Sequence, residues 1–251
     1  VIDLHSHLLP GVDDGSRSVG QSVEVLEQFR SLGVTTVALT PHLLASQVVH
    51  GMPASYEAAW AKLQPKVPGA ITLVRGAEVM LDRPLPAEAA DRRVTLGGTR
   101  YILVEFPRMV PAEIVERALR EVMQMGLVPV LAHPERYSSC TVEAATAWRH
   151  TGAVLQVDAT TLTLPRSRGD RARALVGAGL ADILAGDNHG DSRCIATAVE
   201  WLQEHDGDEQ ALLLLETNPR AILEDGALYE VEPLRLRTSL WGRVRRLFEV
   251  E

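Results

Sequence analysis

The feature that most constrains the fold of this chain is a recurring unit: an amphipathic helix, a glycine, a short apolar strand, and a histidine or acid as the strand ends. Four copies are readable. In the first, Ser18 and Gln21 resemble a capping box, Val25, Leu26, Phe29 and Leu32 share a helical face, and Gly33 precedes Thr36-Val37-Ala38-Leu39 and then His42. In the second, Pro111 suits a first helical turn, Ile114, Val115, Leu119, Val122 and Met125 face inward, and Gly126 leads through residues 128–131 to His133. The third runs from Thr141 through Trp148 to Gly152, then through Val154, Leu155 and Val157 to Asp158. The fourth passes Leu175, Val176 and Gly179 before Ile183 and Leu184 lead to Asp187 and His189.

Strands that alternate with helices pair in parallel, and nearly continuous apolar strands are buried on both faces. Three further candidate strands, residues 1–5, 71–78 and 101–105, also end in histidine or glutamate. The pattern predicts an α/β barrel whose chemistry sits at the C-terminal ends of its strands, where residues distant in sequence meet. A chain of 251 residues, 46% apolar, suits one such domain, which commonly takes ~250 residues. Residues 52–69 read as a helix and 83–98 as a long loop; past Ala221 the pattern decays into a tail.

The net charge of −8 weighs against general nucleic-acid binding, which calls for a positive face, so an anionic substrate would need a local positive centre. The two cysteines, Cys140 and Cys194, form no CxxC pair, which suits a reducing compartment. No apolar run approaches the ~20 residues that span a bilayer. The expectation is a soluble cytoplasmic protein.

His5 and His7, two apart on an extended segment, project from the same face as a shared metal would require. On its own an HxH pair is equally well a polar strand end. The loop Gly11-Val12-Asp13-Asp14-Gly15 sets acids between glycines, where the chain can turn back toward the strand mouth. The other strand ends add His42, Glu78, Glu105, His133, Asp187 and His189, so five of the eight histidines occupy such positions. Acids flanked by apolar strand residues, as Glu78 and Glu105 are, are seldom buried without a partner or a metal. His50, His150 and His205 read as ordinary surface residues.

Asp3-Leu4-His5-Ser6-His7, Asp13-Asp14-Gly15, Thr40-Pro41-His42, Gly76-Ala77-Glu78, Glu105-Phe106, His133-Pro134-Glu135-Arg136-Tyr137 and Asp187-Asn188-His189 resemble the polymerase-and-histidinol-phosphatase (PHP) superfamily. Within it, Val12-Asp13-Asp14-Gly15 and Glu135-Arg136-Tyr137 are similar to bacterial capsular-polysaccharide tyrosine phosphatases of the CpsB/YwqE type. The resemblance runs from Val1 to about Leu223, including Asn218-Pro219-Arg220, and leaves residues 224–251 as a tail. It implies a distorted (β/α)7-type PHP barrel and three divalent ions, manganese foremost, with iron and zinc compatible with the same nitrogen and oxygen donors. His5, His7, Glu78 and Asp187 would hold the first ion; Glu78 would bridge to a second held by Glu105 and His133. Asp14, His42 and His189 would hold the third, with Asp13 beside it and the roles of the two adjacent acids open to exchange. Arg136 and Arg193 would engage the substrate phosphate. Leu43, Leu44 and Gly190 depart from the family pattern and imply a more apolar rim.

The resemblance implies hydrolysis of phosphotyrosine, in particular on the tail of a bacterial tyrosine kinase that controls capsule or exopolysaccharide synthesis. Four carboxylates, Asp14, Glu78, Glu105 and Asp187, would not neutralise three divalent ions, which leaves the positive centre that a phosphate dianion needs. A phenol, with a pKa of ~10, leaves more readily than an alkyl alcohol, so a dedicated general acid is less necessary. The rivals are a small-molecule phosphatase of the histidinol-phosphate kind and a non-catalytic binding module on the same barrel. A cysteine-dependent tyrosine phosphatase is excluded, because Thr146 and Glu200 stand six positions after the cysteines where an arginine is required. In the tail, residues 240–248 suggest a short helix with apolar and basic faces, suited to a partner or to peripheral contact with an anionic membrane.

Overall fold

The computed structural model describes residues 1–236. The suggested helix at 240–248 lies outside them. Among the described residues nine strands run in chain order: β1 (Ile2–Asp3), β2 (Thr36–Leu39), β3 (His42–Leu44), β4 (Thr72–Arg75), β5 (Glu78–Met80), β6 (Tyr101–Glu105), β7 (Val128–Ala132), β8 (Val154–Asp158) and β9 (Ile183–Ala185). Every pairing among them is parallel. The helices α1 (Val19–Ser31), α2 (Ala54–Leu63), α3 (Ala112–Gln124), α4 (Val142–Arg149) and α5 (Arg166–Gly177) connect them.

The continuous barrel expected from the repeat is not what the ladders form. They make two sheets, β1-β2-β4 and β3-β5-β6-β7-β8-β9. Two of the seven expected strands are each broken in the middle. Pro41, which has no N–H to donate, separates β2 from β3. Gly76 and Ala77 separate β4 from β5, where a Cβ on Gly76 would stand 2.9 Å from Leu96 Cδ2. An isolated parallel bridge, Ser6 to Asn188, links the chain beyond β1 to the chain beyond β9.

Side-chain alternation explains the core. Ile102 and Val104 pack in a large cluster with helix residues such as Val115 and Leu119, whereas Tyr101 and Leu103 join an inner cluster with Leu4, Ala38, Val130, Val154 and Ile183. Fully burying one such leucine or valine contributes about 1.5–3 kcal/mol. Counting by twos along unbroken strands leads from the inner cluster at Leu103 to Glu105 and at Val154 to Gln156. Part of the site is therefore the last inward-facing layer of this core, while His42 and Asp187 follow a break or the end of a strand. His133 follows the inward-facing Ala132 by one residue, and its left-handed backbone (φ 34°) turns it. In β1 the regular ladder ends at Asp3, which frees His5 and His7 from the alternation.

The helix signals hold with two exceptions. Ser18 Oγ accepts from Gln21 N at 3.2 Å, but the Gln21 side chain does not close a capping box; its Nε2 donates to Gly190 O at 2.7 Å, pinning α1 to the His189 loop. Leu32 is 48% exposed, since it falls past the last helical residue. Residues 224–236 pack onto the body: Val231 and Leu234 are buried, the Asn218 amide brackets Tyr229, and Asp225 accepts from Arg100 N at 2.8 Å. The packed body thus continues past Leu223. Among the described residues no helix is long and apolar enough to cross a membrane.

Candidate metal centre

The nine side chains singled out as ligands, His5, His7, Asp14, His42, Glu78, Glu105, His133, Asp187 and His189, come together at one end of the strands. His5 Nε2 and His7 Nε2 stand 3.2 Å apart, each 3.3 Å from a Glu78 oxygen and 3.3 Å from Asp187 Oδ1. Glu78 Oε1 meets His133 Nε2 at 2.8 Å, and Glu105 Oε2 lies 3.9 Å from the same nitrogen. Asp14 Oδ1 is 3.3 Å from His42 Nε2 and 3.5 Å from His189 Nε2. His42 Nδ1 also reaches Glu78 and Glu105, at 3.0 and 3.2 Å, so the groups merge rather than stand apart.

Whether such a cluster suits metal ions is decided by the far side of each imidazole, because a ligating histidine usually donates its other ring N–H to a fixed acceptor. His5 Nδ1 donates to Gln156 Oε1 at 2.9 Å, His7 Nδ1 to Asp13 Oδ2 at 2.8 Å, and His189 Nδ1 to the Asp187 carbonyl at 3.0 Å. Each Nε2 faces the carboxylates and, once its proton is displaced, would offer a lone pair to an ion there. Glu78 Oε2 and Asp187 Oδ1 are buried without a hydrogen-bond donor. The donors fit divalent ions. Asp13 is accordingly the support of His7, and its Oδ2 also accepts from His42 N at 3.2 Å.

The charges are strongly coupled. Burial alone would raise Glu78, yet the His5 charge and hydrogen bonds from His133, His42 and His5 hold its carboxyl well below the ordinary range. Burial would likewise raise Asp187, but His5, His7 and Arg136 hold it well below. In turn, burial would lower His42, but Glu105 and Glu78 carry it up to about 10. An ion loading here displaces protons. Backbone strain adds to the picture, since His133 (φ 34°) and Asp187 (φ 45°) are left-handed without being glycine, which costs on the order of 1–3 kcal/mol each and concentrates at functional sites.

The two arginines are placed differently. Arg136 Nη2 bonds Asp187 Oδ2 and, at 2.9 Å, Asp158 Oδ2, inside the cluster. Arg193 is held by Asp191, its Nε 2.8 Å from Oδ2, and forms no ion pair with the nine among the described residues. Three residues have supporting roles that the sequence does not reveal. Gln156 orients His5; the signal was a lone amide inside Val154-Leu155-Gln156-Val157. Asp3, pushed up to about 7 by burial, accepts from His5 N and Gly186 N and ties β1 to the end of β9. Glu135, also buried and raised to about 8, accepts from Asp158 N and Thr161 Oγ1. His50 and His150 are exposed, as expected, while His205 is half-buried against Trp201.

Gly15 fixes the acidic loop. A Cβ there would lie 2.0 Å from His7 O and 2.4 Å from His7 Cβ, so no side chain fits. Gly15→Ala is expected to displace Asp13 and Asp14, destabilising the fold by about 1–3 kcal/mol through overpacking. Metal affinity should fall roughly 10–100-fold with the support of His7. Thermal melting and metal titration check both; an unchanged affinity would mean that the loop does not support the centre.

Tyrosine-protein phosphatase YwqE of Bacillus subtilis is 28% identical over 258 aligned residues, covering 96% of this chain and 99% of that protein. Tyrosine-protein phosphatase CpsB of Streptococcus pneumoniae is 26% identical, covering 90% and 99%. A crystal structure from the pair YwqE and CpsB, described as unique metal-dependent tyrosine phosphatases, superposes with a TM-score of 0.78 at 24% identity, covering 94% of this chain and all of that one, and shows the fold. Residues 1–224 match the model of the family described as capsular polysaccharide synthesis, CpsB/CapC, and the chain belongs to that family.

Proposed function

We propose that this chain is a metal-dependent phosphatase that removes phosphate from tyrosine on proteins, its substrate a bacterial tyrosine kinase of capsule or exopolysaccharide synthesis in the cytoplasm. The observation that carries the reading is the convergence of nine nitrogen and oxygen donors on one strand end, with His5, His7 and His189 each anchored at Nδ1. The family relatives are named tyrosine-protein phosphatases. In this reading the strands form a distorted (β/α)7 barrel over residues 1–223, and the centre takes three ions, manganese foremost. His5, His7, Glu78 and Asp187 would hold one, Glu78, Glu105 and His133 the second, and Asp14, His42 and His189 the third.

Divalent ions in such a site supply Lewis acidity, lowering the pKa of bound water toward ~7 and taking up charge on phosphate oxygens. The chain supplies position. Gln156 and Asp13 hold His5 and His7 in one tautomer. Arg136, fixed by Asp158, has N–H groups left over for a phosphate oxygen, and Arg193 would join it by turning from Asp191. Both thiols are spectators: burial pushes Cys140 up to about 12 and Cys194 up to about 11, so neither is a thiolate at neutral pH.

The test is a substrate screen on protein of measured metal content, setting phosphotyrosine peptides against histidinol phosphate and other small phosphoesters. We expect phosphotyrosine to be preferred, chelation to abolish turnover, added manganese to restore it, and Cys140→Ser and Cys194→Ser to remain active. Turnover that survives chelation but is lost with either cysteine would overturn the mechanism; preference for histidinol phosphate would overturn the substrate.

A further inference from the structure

Three consecutive strand-to-helix connections, at the strand ends where the centre lies, each carry an arginine. Arg108 follows β6, Arg136 follows β7, and Arg168 lies in the first turn of α5, after β8. Direct contacts hold the connections together. Ser138 N donates to Arg108 O at 2.9 Å and Ser139 Oγ to Val110 O at 2.7 Å, which joins the first to the second. Arg171 Nε donates to Glu135 O at 2.8 Å, which docks α5 on the turn that carries Arg136.

Only Arg136 has its charge matched, by Asp158 and Asp187. Among the described residues neither Arg108 nor Arg168 forms an ion pair or a side-chain hydrogen bond. Arg108 is exposed, and Arg168 is half-buried with its Nε sequestered and without an acceptor. Two other arginines of α5 differ: Arg171 is bound to the Glu135 carbonyl, and Arg173 to Asp170 and to the carbonyls of Leu162 and Leu164, whereas Arg166, at the exposed start of the helix, also has no ion pair among the described residues. Burial first, and the like charge of Arg136 next, depress the Arg168 guanidinium below its ordinary value; Asp158 and Glu135 act against them without restoring it, and Arg108 adds to the depression. Two arginines without an ion pair beside a matched third, in a chain of net charge −8, favour an incoming anion.

We propose that Arg168 and Arg108, set around Arg136, form a subsite that binds an anionic side chain of the substrate close to the phosphotyrosine being hydrolysed. The anion is a carboxylate or a second phosphorylated tyrosine. The subsite rests on the phosphotyrosine reading only for the identity of the substrate.

The test uses the full chain and three phosphotyrosine peptides, with neutral flanks, with flanking glutamates, and with a second phosphotyrosine. The metal-loaded parent should favour the anionic peptides. Arg168→Gln combined with Arg108→Gln should raise KM for them by about tenfold, leave the neutral peptide unchanged, and flatten the salt dependence. Arg168→Lys, which keeps the charge, should retain most of the preference. Comparing the two anionic peptides shows whether carboxylate or phosphate is the better ligand. Binding of fluorescent versions to metal-free protein provides a readout independent of turnover. Arginine-dependent binding without hydrolysis would keep the subsite and refute the phosphatase reading. Hydrolysis with equal KM for all three peptides, or with a preference that survives the double substitution, would refute the subsite alone.

Discussion

Glu78→Gln is expected to abolish turnover and empty the metal centre while leaving the fold intact. Glu78 is fully buried, and its two oxygens reach four imidazoles: His5 and His7 at 3.3 Å, His42 at 3.0 Å and His133 at 2.8 Å. Asp187, the next most connected acid, reaches three. Losing a residue that merely supports a ligand costs roughly 10–100-fold in metal affinity, so a carboxylate common to several imidazoles should cost more, about a thousandfold or beyond in kcat/KM. Glutamine keeps the volume but brings a donor where an acceptor is needed. Glu78→Ala also strands the histidines without a counter-charge and should cost about 3–5 kcal/mol of stability, the range for breaking a buried pair. Metal per chain by mass spectrometry, with circular dichroism as the control for folding, checks this. A glutamine variant with the parental metal content and rate would remove Glu78 from the centre.

The candidate ligands are legible because their positions are improbable for any other reason. An acid between Ala77 and Val79, or at the end of Tyr101-Ile102-Leu103-Val104, has no cheap burial without cations, and both acids prove to be buried against histidines. Strand positions were equally legible, since apolar runs between glycine stops leave few alternatives. Continuity of the sheet was not. Pro41 reads as part of a ligand motif, although a residue without an N–H interrupts a ladder, and Gly76 gives no sign that Leu96 presses against it. Supporting residues were hidden for another reason: their partners are far away in sequence. Gln156 lies 151 positions from His5, and Asp3 lies 183 from Gly186, so only folding reveals what each holds. Arg193 illustrates the converse. Its distance in sequence from His189 fits the motif, yet nearby Asp191 takes its side chain.

Arg136→Ala should lower kcat/KM for phosphotyrosine peptides by about a hundredfold, about 2.7 kcal/mol of transition-state stabilisation, with little change in metal content. The contacts make this a demanding claim, because Nη2 of Arg136 already bonds Asp187, one of the ligand candidates. Burial would lower this guanidinium, but Asp187 and Asp158 hold it further above its ordinary value, so it is charged at every working pH. A guanidinium has five N–H donors, and here Nε is buried without an acceptor, so two carboxylates do not exhaust it. Asp158, itself fixed by Thr160 through N–H and hydroxyl at 2.9 and 2.6 Å, sets the plane of the fork. Arg136→Lys keeps the charge but not that fork and should recover only part of the loss. If Arg136 instead serves to hold Asp187, its removal would release that carboxylate and metal would fall with activity, as for Glu78→Gln. Metal content in Arg136→Ala therefore decides between the roles: near-parental occupancy with slow turnover assigns the arginine to the phosphate, and parallel loss assigns it to positioning Asp187.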